Sequence, residues 1–79
     1  MKKATSIQFA LCLKNTGCED LVIRKVYAVL PDERAEKDHY IRIVDESGED
    51  YLYPASFFCI VELPQGVERA LRRILPLAV

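Results

Sequence analysis

Three cysteine thiols and one imidazole are the side chains of this chain that could hold a zinc ion. They belong to Cys12, Cys18, Cys59 and His39, which together have the composition of a Cys₃His structural site. In such sites the ligands come in pairs about two to four residues apart, and no two of these residues are that close in sequence. We therefore predict three separate reduced thiols, as expected in a reducing compartment, and neither a metal nor a cofactor.

The same side chains could form a nucleophilic pair, in which His39 would act as the base for a cysteine thiol. His39 stands where a charged segment enters a predicted strand, a position typical of an exposed polar side chain. The sequence contains no glycine-rich phosphate loop and no GxSxG or HExxH motif, which are common signatures of catalysis. We therefore predict that the protein is not an enzyme.

An acidic turn, DESGED at residues 45–50, is the third group with chemical potential. Its carboxylates belong to Asp45, Glu46, Glu49 and Asp50. Carboxylate oxygens are the ligands that calcium prefers, but the D-x-[DN]-x-[DN]-G spacing of an EF-hand loop is absent. We interpret the segment as a solvated hairpin tip in which Gly48 takes a left-handed conformation. Its charge would also discourage pairing between sheet edges.

Aromatic side chains are concentrated between residues 27 and 58. They are Tyr27, Tyr40, Tyr51, Tyr53, Phe57 and Phe58. Neighbouring side chains of an extended segment point to opposite faces, so Phe57 and Phe58 cannot both enter one core. We predict that Phe58 is buried and that Phe57 lies near the surface, where an aromatic ring is typical of a binding site. The predicted binding residues are Phe57, Tyr51 and Tyr40, with Arg42 and the acidic turn at the rim.

Five segments have the alternation or the β-branched and aromatic composition of strands. They are residues 6–14, 21–30, 39–45, 51–53 and 58–63. We expect a bulge or an exposed bend where Arg24 and Lys25 interrupt the second strand, and a tight 3₁₀ turn at residues 55–57 after Pro54. The predicted core is Phe9, Leu11, Val26, Ile41, Ile43, Tyr53 and Phe58, and strict alternation places Cys12 away from this apolar stripe.

Two further segments complete the chain. The charged residues 31–38 are interpreted as a solvated connector with room for one helical turn, for which Asp32 would be the N-cap. A C-terminal helix is predicted over about 67–75, because apolar residues recur there with helical spacing. So short a helix must dock to persist. The expected docking residues are Val67, Leu71 and Ile74, on the open end of the barrel or on a second copy of the chain.

The run YPASFF, residues 53–58, resembles the Pro-Ser-Asn-Tyr-Val corner of Src-homology-3 domains, where a 3₁₀ turn joins the last two strands. The wider stretch of residues 24–58 with a following Leu-Pro also resembles a group of small uncharacterised bacterial proteins. Together with five short strands joined by turns, the resemblance implies an all-β, small Src-homology-3-like barrel with a short C-terminal helix. The chain has no tryptophan to line a groove for proline-rich ligands, so the resemblance does not extend to that ligand.

Composition limits the classes of function. The chain has 79 residues, which predicts one domain over residues 1–79, and a formal net charge of -1 with acids and bases interspersed. A nucleic-acid-binding protein usually has a basic face, and the apolar stretch 7–13 is too short to span a membrane. We expect a cytoplasmic, non-enzymatic protein-interaction module whose partner is another protein, with a weak homodimer through the C-terminal helix as a further expectation. The alternatives are a nucleic-acid-binding small barrel and a small metal-binding or hydrolytic protein.

Overall fold

A computed structural model of the protein describes residues 7–74. This range forms five β-strands, two α-helices and one 3₁₀ turn. In chain order they are β1 Gln8–Cys12, β2 Val26–Leu30, α1 Glu33–Lys37, β3 Tyr40–Val44, β4 Asp50–Pro54, the 3₁₀ turn Ala55–Phe57, β5 Phe58–Val61 and α2 Gln65–Ile74.

The five strands form one antiparallel sheet in the order β4-β3-β2-β1-β5. Strands β4 and β5 are its two edges, and the 3₁₀ turn connects them directly along the chain. The rings of Tyr53 in β4 and Phe58 in β5 lie 6.2 Å apart between centroids. A mostly β fold of five strands with a short C-terminal helix is therefore confirmed. The sheet of the described residues is open, because no ladder joins its two edges.

The second strand is shorter than predicted, Val26–Leu30 instead of 21–30. Arg24 has a left-handed backbone with φ 78°, which turns the chain just before the strand begins. Its N–H donates to the carbonyl of Cys12 at 2.8 Å, so the turned segment stays attached to the end of β1. The predicted bend at Arg24 and Lys25 is confirmed, and both side chains are exposed.

Both faces of the sheet carry apolar side chains. The aromatic cluster, on one face, contains Ala10, Cys12, Leu21, Tyr27, Val29, Ile43 and Phe58, with Cys18, Ile41, Tyr53 and Phe57 packed against it. The helix-side cluster, on the other face, contains Phe9, Ala28 and Val44, with Ile7, Val26, Leu30, Val61, Leu63 and Leu71 packed against it. Residues adjacent in β1 and β2 thus enter different clusters, as strand alternation requires.

The predicted core is partly confirmed. Phe9, Ile43 and Phe58 are buried, whereas Leu11, Val26, Ile41 and Tyr53 are half-buried. Cys12 lies on the opposite face of β1 from Phe9, as alternation predicts, but it is fully buried there in the aromatic cluster. Alternation identifies one face of β1 correctly, but the other face is covered as well.

The charged connector does form a helical turn, α1. The carboxylate of Asp32 accepts a hydrogen bond from the N–H of Ala35 at 3.0 Å, which is the predicted N-cap. Ala35 is buried, so one side of the turn packs against the domain. After α1, His39 has φ 64° at a position where helices usually place a glycine. This left-handed backbone redirects the chain into β3.

Helix α2 begins two residues before the predicted start. Only some of its predicted docking residues contact the sheet. Leu71 packs against the helix-side cluster, while Val67 and Ile74 are exposed. Of the three predicted docking residues, Leu71 alone packs on its own chain within the described residues, and docking of Val67 and Ile74 on a second copy stays a prediction. Neither α1 nor α2, the helices of residues 7–74, is long and apolar enough to cross a bilayer.

Candidate binding surface

The register of β3 and β4 places two exposed apolar side chains on one face of the hairpin. Tyr40 lies opposite Pro54, and Arg42 lies opposite Leu52. Tyr40 is 44% exposed and Leu52 is 46% exposed. We refer to Tyr40, Arg42, Leu52 and Pro54 as the hairpin face. Tyr40, Arg42 and Val44 are every second residue of β3 and therefore point to the same side of the sheet. Val44 belongs to the helix-side cluster, so the hairpin face lies on that side.

Arg42 is fixed in place by two carboxylates. Its Nε donates to Asp32 Oδ2 at 2.8 Å, and its Nη1 donates to Asp50 Oδ2 at 2.9 Å. These two bonds raise the pKa of Arg42. The pKa of Asp32 is lowered, first by the N–H of Ala35 and then by Arg42. The guanidinium is thus ordered before any partner arrives, which reduces the entropy lost on binding.

The structure places the other two predicted binding residues on the opposite face. Tyr51 is paired with Ile43, is 50% exposed and donates from its hydroxyl to Glu49 Oε1 at 2.9 Å. Phe57 is half-buried against the aromatic cluster, and Lys14 Nζ lies 6.0 Å from its ring centroid. Tyr40 and Arg42 therefore share one surface, and Tyr51 and Phe57 lie on the other side of the sheet.

Leu52 is the member of the hairpin face that sequence reasoning missed. The signal was present in the alternation of β4, which separates Leu52 from Tyr51 and Tyr53. The two tyrosines of β4 occupy one face of the strand, and Leu52 lies on the other.

A groove of about 420 Å³ begins beside Tyr40. Its apolar lining consists of Val29, Ile41, Ala55 and Ile60, and its polar lining of Gln8, Glu36 and His39 in addition to Tyr40. A concave apolar surface with a few polar groups is typical of a binding site. Val29 and Ile41 belong to the side of the sheet that carries the aromatic cluster, so the groove lies on the opposite side from the hairpin face. Tyr40, at the end of β3, is the residue that the two features share.

The acidic turn is less solvated than predicted. Asp45 is only 1% exposed, and its carboxylate accepts from the N–H of Ser47 at 2.9 Å and from the hydroxyl of Tyr53 at 2.5 Å. The interpretation of a solvated tip is wrong for Asp45, and Asp50 is half-buried and bonded to Arg42. It is correct for Glu49, whereas Glu46 is exposed but makes internal bonds. Gly48 has φ 87°, as expected.

Glu46 links the turn to the segment before β2. Its Oε2 accepts from the hydroxyl of Tyr27 at 2.5 Å and lies 2.7 Å from Lys25 Nζ. The same hydroxyl accepts from the N–H of Val22 at 2.8 Å. Lys25 first and Tyr27 second lower the pKa of Glu46. Because every bond of this group is internal, we assign it a structural role.

The cysteines and His39 form no common site. Cys12 is buried, Cys18 is half-buried and Cys59 is exposed, and all three are free thiols. Burial raises the pKa of Cys12, which lowers its reactivity because the thiolate is the nucleophile. Within residues 7–74, no hydrogen bond joins the imidazole to a thiol, and no group of three or more metal-binding side chains is found.

No protein-family model, curated protein or solved structure matches this chain. What the protein binds is therefore inferred from its own side chains. The arrangement that favours binding is the hairpin face with the adjoining groove, because it combines exposed apolar area, a fixed arginine and a concavity.

Proposed function

We propose that the protein is a non-enzymatic protein-interaction module that binds its partner through the hairpin face and the adjoining groove. The observation that carries this proposal is the exposure of Tyr40 and Leu52, one beside and one directly opposite an arginine that is already fixed by Asp32 and Asp50. Tyrosine and arginine are enriched among the residues that dominate binding energy. Exposed apolar patches on small domains often mark contact sites.

The groove supplies the anchoring position. An apolar side chain of the partner would enter between Val29, Ile41 and Ile60, and the partner's main chain would lie along Tyr40. Such an anchor buries apolar area at the centre of a contact, where substitutions have the largest effect. A partner that contacts both surfaces would pass around the sheet at Tyr40. Phe57 and Tyr51 lie on the same side of the sheet as the groove and would take part only if the partner extended farther along that side.

Electrostatics favours a protein partner over a nucleic acid. A single strand stacks its bases on aromatic rings, but its phosphates need a basic groove. On the hairpin face the one cation, Arg42, is neutralised by two carboxylates. Glu36 adds a further acid to the groove. Phosphate would therefore be repelled from the surface that carries Tyr40.

We further propose that the sheet is an open version of the Src-homology-3-like barrel. The order of the five strands, the position of the 3₁₀ turn between β4 and β5 and the contact of Tyr53 with Phe58 support this assignment. Kinship with the small bacterial proteins is proposed from the resemblance of residues 24–58 alone. Such scaffolds present loops and short turns around a rigid sheet, which suits a binding module.

The test uses two tyrosines of the same hairpin as a matched pair. Affinity capture with the full chain identifies a partner, and the dissociation constant is then measured with the purified partner by calorimetry. We expect Tyr40→Ala and Leu52→Ala each to weaken binding about tenfold or more. Tyr51→Ala, equally exposed on the opposite face, should change affinity less than about twofold.

Two results would contradict the proposal. If Tyr51→Ala abolished binding while Tyr40→Ala did not, the contact would lie on the other side of the sheet. If the wild-type protein instead bound single-stranded RNA or DNA with an affinity that fell steeply with salt, the nucleic-acid alternative would be correct.

A further inference from the structure

The two edges of the sheet differ in how well they are protected against a further strand. An edge strand has main-chain N–H and C=O groups that no neighbour binds, and an extended peptide can pair with them. On β4, the N–H of Ala55 donates to the carbonyl of His39 at 2.9 Å. Because hydrogen-bonded pairs alternate along an antiparallel ladder, the outward-pointing groups of this strand belong to Asp50, Leu52 and Pro54. Asp50 is charged and Pro54 has no N–H to donate, and both features disfavour the addition of a strand.

On the other edge, the outward-pointing groups of β5 include those of Ile60. The N–H of Leu13 donates to the carbonyl of Phe57 at 2.8 Å, so these two residues form a hydrogen-bonded pair. Ala10 and Ile60 lie an odd number of positions farther along the same ladder and are therefore not bonded to each other. The N–H and C=O of Ile60 thus face away from β1, the only strand of residues 7–74 that pairs with β5.

The side chain of Ile60 lies between two grooves. It is 45% exposed and lines the groove of about 420 Å³ that contains Val29, Ile41 and Tyr40. It also lines a second groove of about 340 Å³, whose other apolar residues are Ile7, Phe9, Val61 and Leu63. A strand added to β5 would therefore find apolar surface for its side chains as well as partners for its main chain.

The charged side chains that line these two grooves are acidic. Glu36 lines the first groove, Glu62 and Glu68 line the second, and neither lining contains a lysine or an arginine. Glu68 also lies in a third groove with Arg69 and Arg72, so its charge is partly balanced. Glu36 and Glu62 are exposed, and neither forms an ion pair within the described residues. The basic side chains of α1 line neither groove; they are Arg34 and Lys37.

We propose that the partner binds as an extended peptide that adds an antiparallel strand to β5, with an apolar side chain opposite Ile60 and a basic side chain two residues before it. This inference rests on the proposed function and names the form of its partner. In an antiparallel ladder, which is the arrangement of every pair in this sheet, the residue opposite Ile60 exchanges both main-chain bonds with it. Its side chain points to the same face as that of Ile60, and so into the first groove.

The position of the basic side chain follows from the direction of the added strand. Glu62 follows β5 directly and lines a groove together with Ile60. Since the strands are antiparallel, a peptide residue two positions before the apolar one lies beside Glu62, on the same face. Opposite charges at such positions stabilise a strand pair. Glu36, across the first groove, adds to the attraction for a cation.

The same charges disfavour two other occupants of this edge. A second copy of the chain that paired β5 with β5 would bring two acidic edges together, and like charges across a strand pair are destabilising. A single strand of RNA or DNA would bring its phosphates towards Glu36 and Glu62, although such a strand needs a basic groove. A peptide with an apolar and a basic side chain satisfies both the groove and the carboxylates.

Short capped peptides provide the test, titrated into the isotope-labelled full chain and followed by nuclear magnetic resonance. The first contains Lys-Thr-Leu within a run of threonines, the second contains Leu-Thr-Lys, and the third is the first with an N-methylated leucine. We expect the first to bind and to shift the amide signal of Ile60. The other two should each bind about tenfold more weakly, because one moves the cation away from Glu62 and the other lacks the main-chain donor.

Two changes at Ile60 separate its main chain from its side chain. Ile60→Ala removes the side chain and keeps the N–H, whereas Ile60→Pro removes both, and an outward-facing edge position tolerates proline. Once circular dichroism has shown that both are folded, Ile60→Pro should bind the first peptide about tenfold more weakly than Ile60→Ala. Glu62→Lys should abolish the preference for the first peptide over the second. Ile23→Ala, an equally exposed isoleucine before β2, should leave the affinity unchanged.

Several results would overturn this inference. One is a wild-type chain that binds none of the peptides, and another is equal affinity for the leucine and N-methylleucine peptides, which tests the main-chain bond without any change to the protein. A chain that self-associates and becomes monomeric with Ile60→Pro would show that a second copy occupies the edge. A captured partner that is lost with Tyr40→Ala but retained with Ile60→Pro would support the proposed function and contradict only the added strand.

Discussion

The hydroxyl of Tyr53 donates a hydrogen bond to Asp45 Oδ2 at 2.5 Å, and Asp45 is the most deeply buried acid of the described residues. The bond joins β4 to the turn that precedes it. Burial first, and the carboxylate second, raise the pKa of Tyr53, so the phenol remains a donor at all physiological pH values. A buried carboxylate needs such donors, because an unsatisfied one would destabilise the fold.

Removal of this hydroxyl should therefore be costly. We expect Tyr53→Phe to lower the free energy of unfolding by about 1–3 kcal/mol, because one oxygen of Asp45 loses its partner in a buried site. Tyr51→Phe is the matched control, since its hydroxyl also binds a carboxylate but at the surface. It should change stability by less than about 0.5 kcal/mol. Urea denaturation measures the stability of both variants. Equal losses would show that the bond to Asp45 contributes no more to stability than the surface bond of Tyr51.

Alanine substitutions at Phe57 and Phe58 should differ in their effect on stability. Phe58→Ala removes a buried ring that contacts Tyr27 and Tyr53, and we expect a loss of about 3–5 kcal/mol. Phe57 is half-buried, so Phe57→Ala should lose about half as much. Thermal and urea unfolding provide the comparison. A loss for Phe57→Ala equal to that for Phe58→Ala would place both rings fully in the core.

Acid should weaken the domain in part through Glu46. The pKa of Glu46 is lowered in the folded state below its ordinary value of 4.5, so the unfolded chain binds a proton more readily. The stabilisation is therefore complete above that value and is lost as the pH falls through the folded-state pKa. Glu46→Gln should flatten this acid dependence of the unfolding free energy. An unchanged slope between wild type and variant would show that Glu46 does not contribute.

The three thiols should react in order of exposure. Under native conditions without reductant, a thiol-specific reagent should modify Cys59 first, Cys18 more slowly and Cys12 only as the protein unfolds, because Cys12 is buried and its pKa is raised. Denaturant should reveal three reactive groups per chain. Cys59→Ser should remove the fast phase alone. Rapid native modification of Cys12 would contradict its burial.

Strand alternation and turn chemistry predicted much of the fold. The strands, the 3₁₀ turn after Pro54 and the N-cap Asp32 follow from local patterns. Alternation assigned Cys12 to the correct face of β1, but it does not reveal whether other side chains cover that face, so the burial of Cys12 was not predicted. Asp45 was misplaced because its partner Tyr53 lies across a turn, and a sequence pattern does not specify which oxygen a phenol will reach.

Sequence patterns identified only half of the proposed binding surface, for a related reason. Period-two alternation already separates Tyr40 and Arg42 from the neighbouring residues of β3. The pairing of β3 with β4, however, decides which face of β4 joins them, and this register depends on the turn. The same limit applies to α2. Its apolar spacing predicts a helix. Which of its apolar side chains contact the sheet depends on the shape of the sheet, and Leu71 packs against it while Ile74 is exposed.

The pairing of β1 with β5 has a consequence for how the chain folds. The other three pairings join strands that follow one another along the chain, whereas β1 meets β5 with Phe9 opposite Val61. Closing so long a loop loses more chain entropy than forming a hairpin, and non-local pairings of this kind slow folding. We expect the β2-β3-β4 meander to assemble first and the β1–β5 ladder to complete the transition. Cutting the chain between β4 and β5 should then abolish the cooperative unfolding of the whole sheet, and not only detach the edge strand β5.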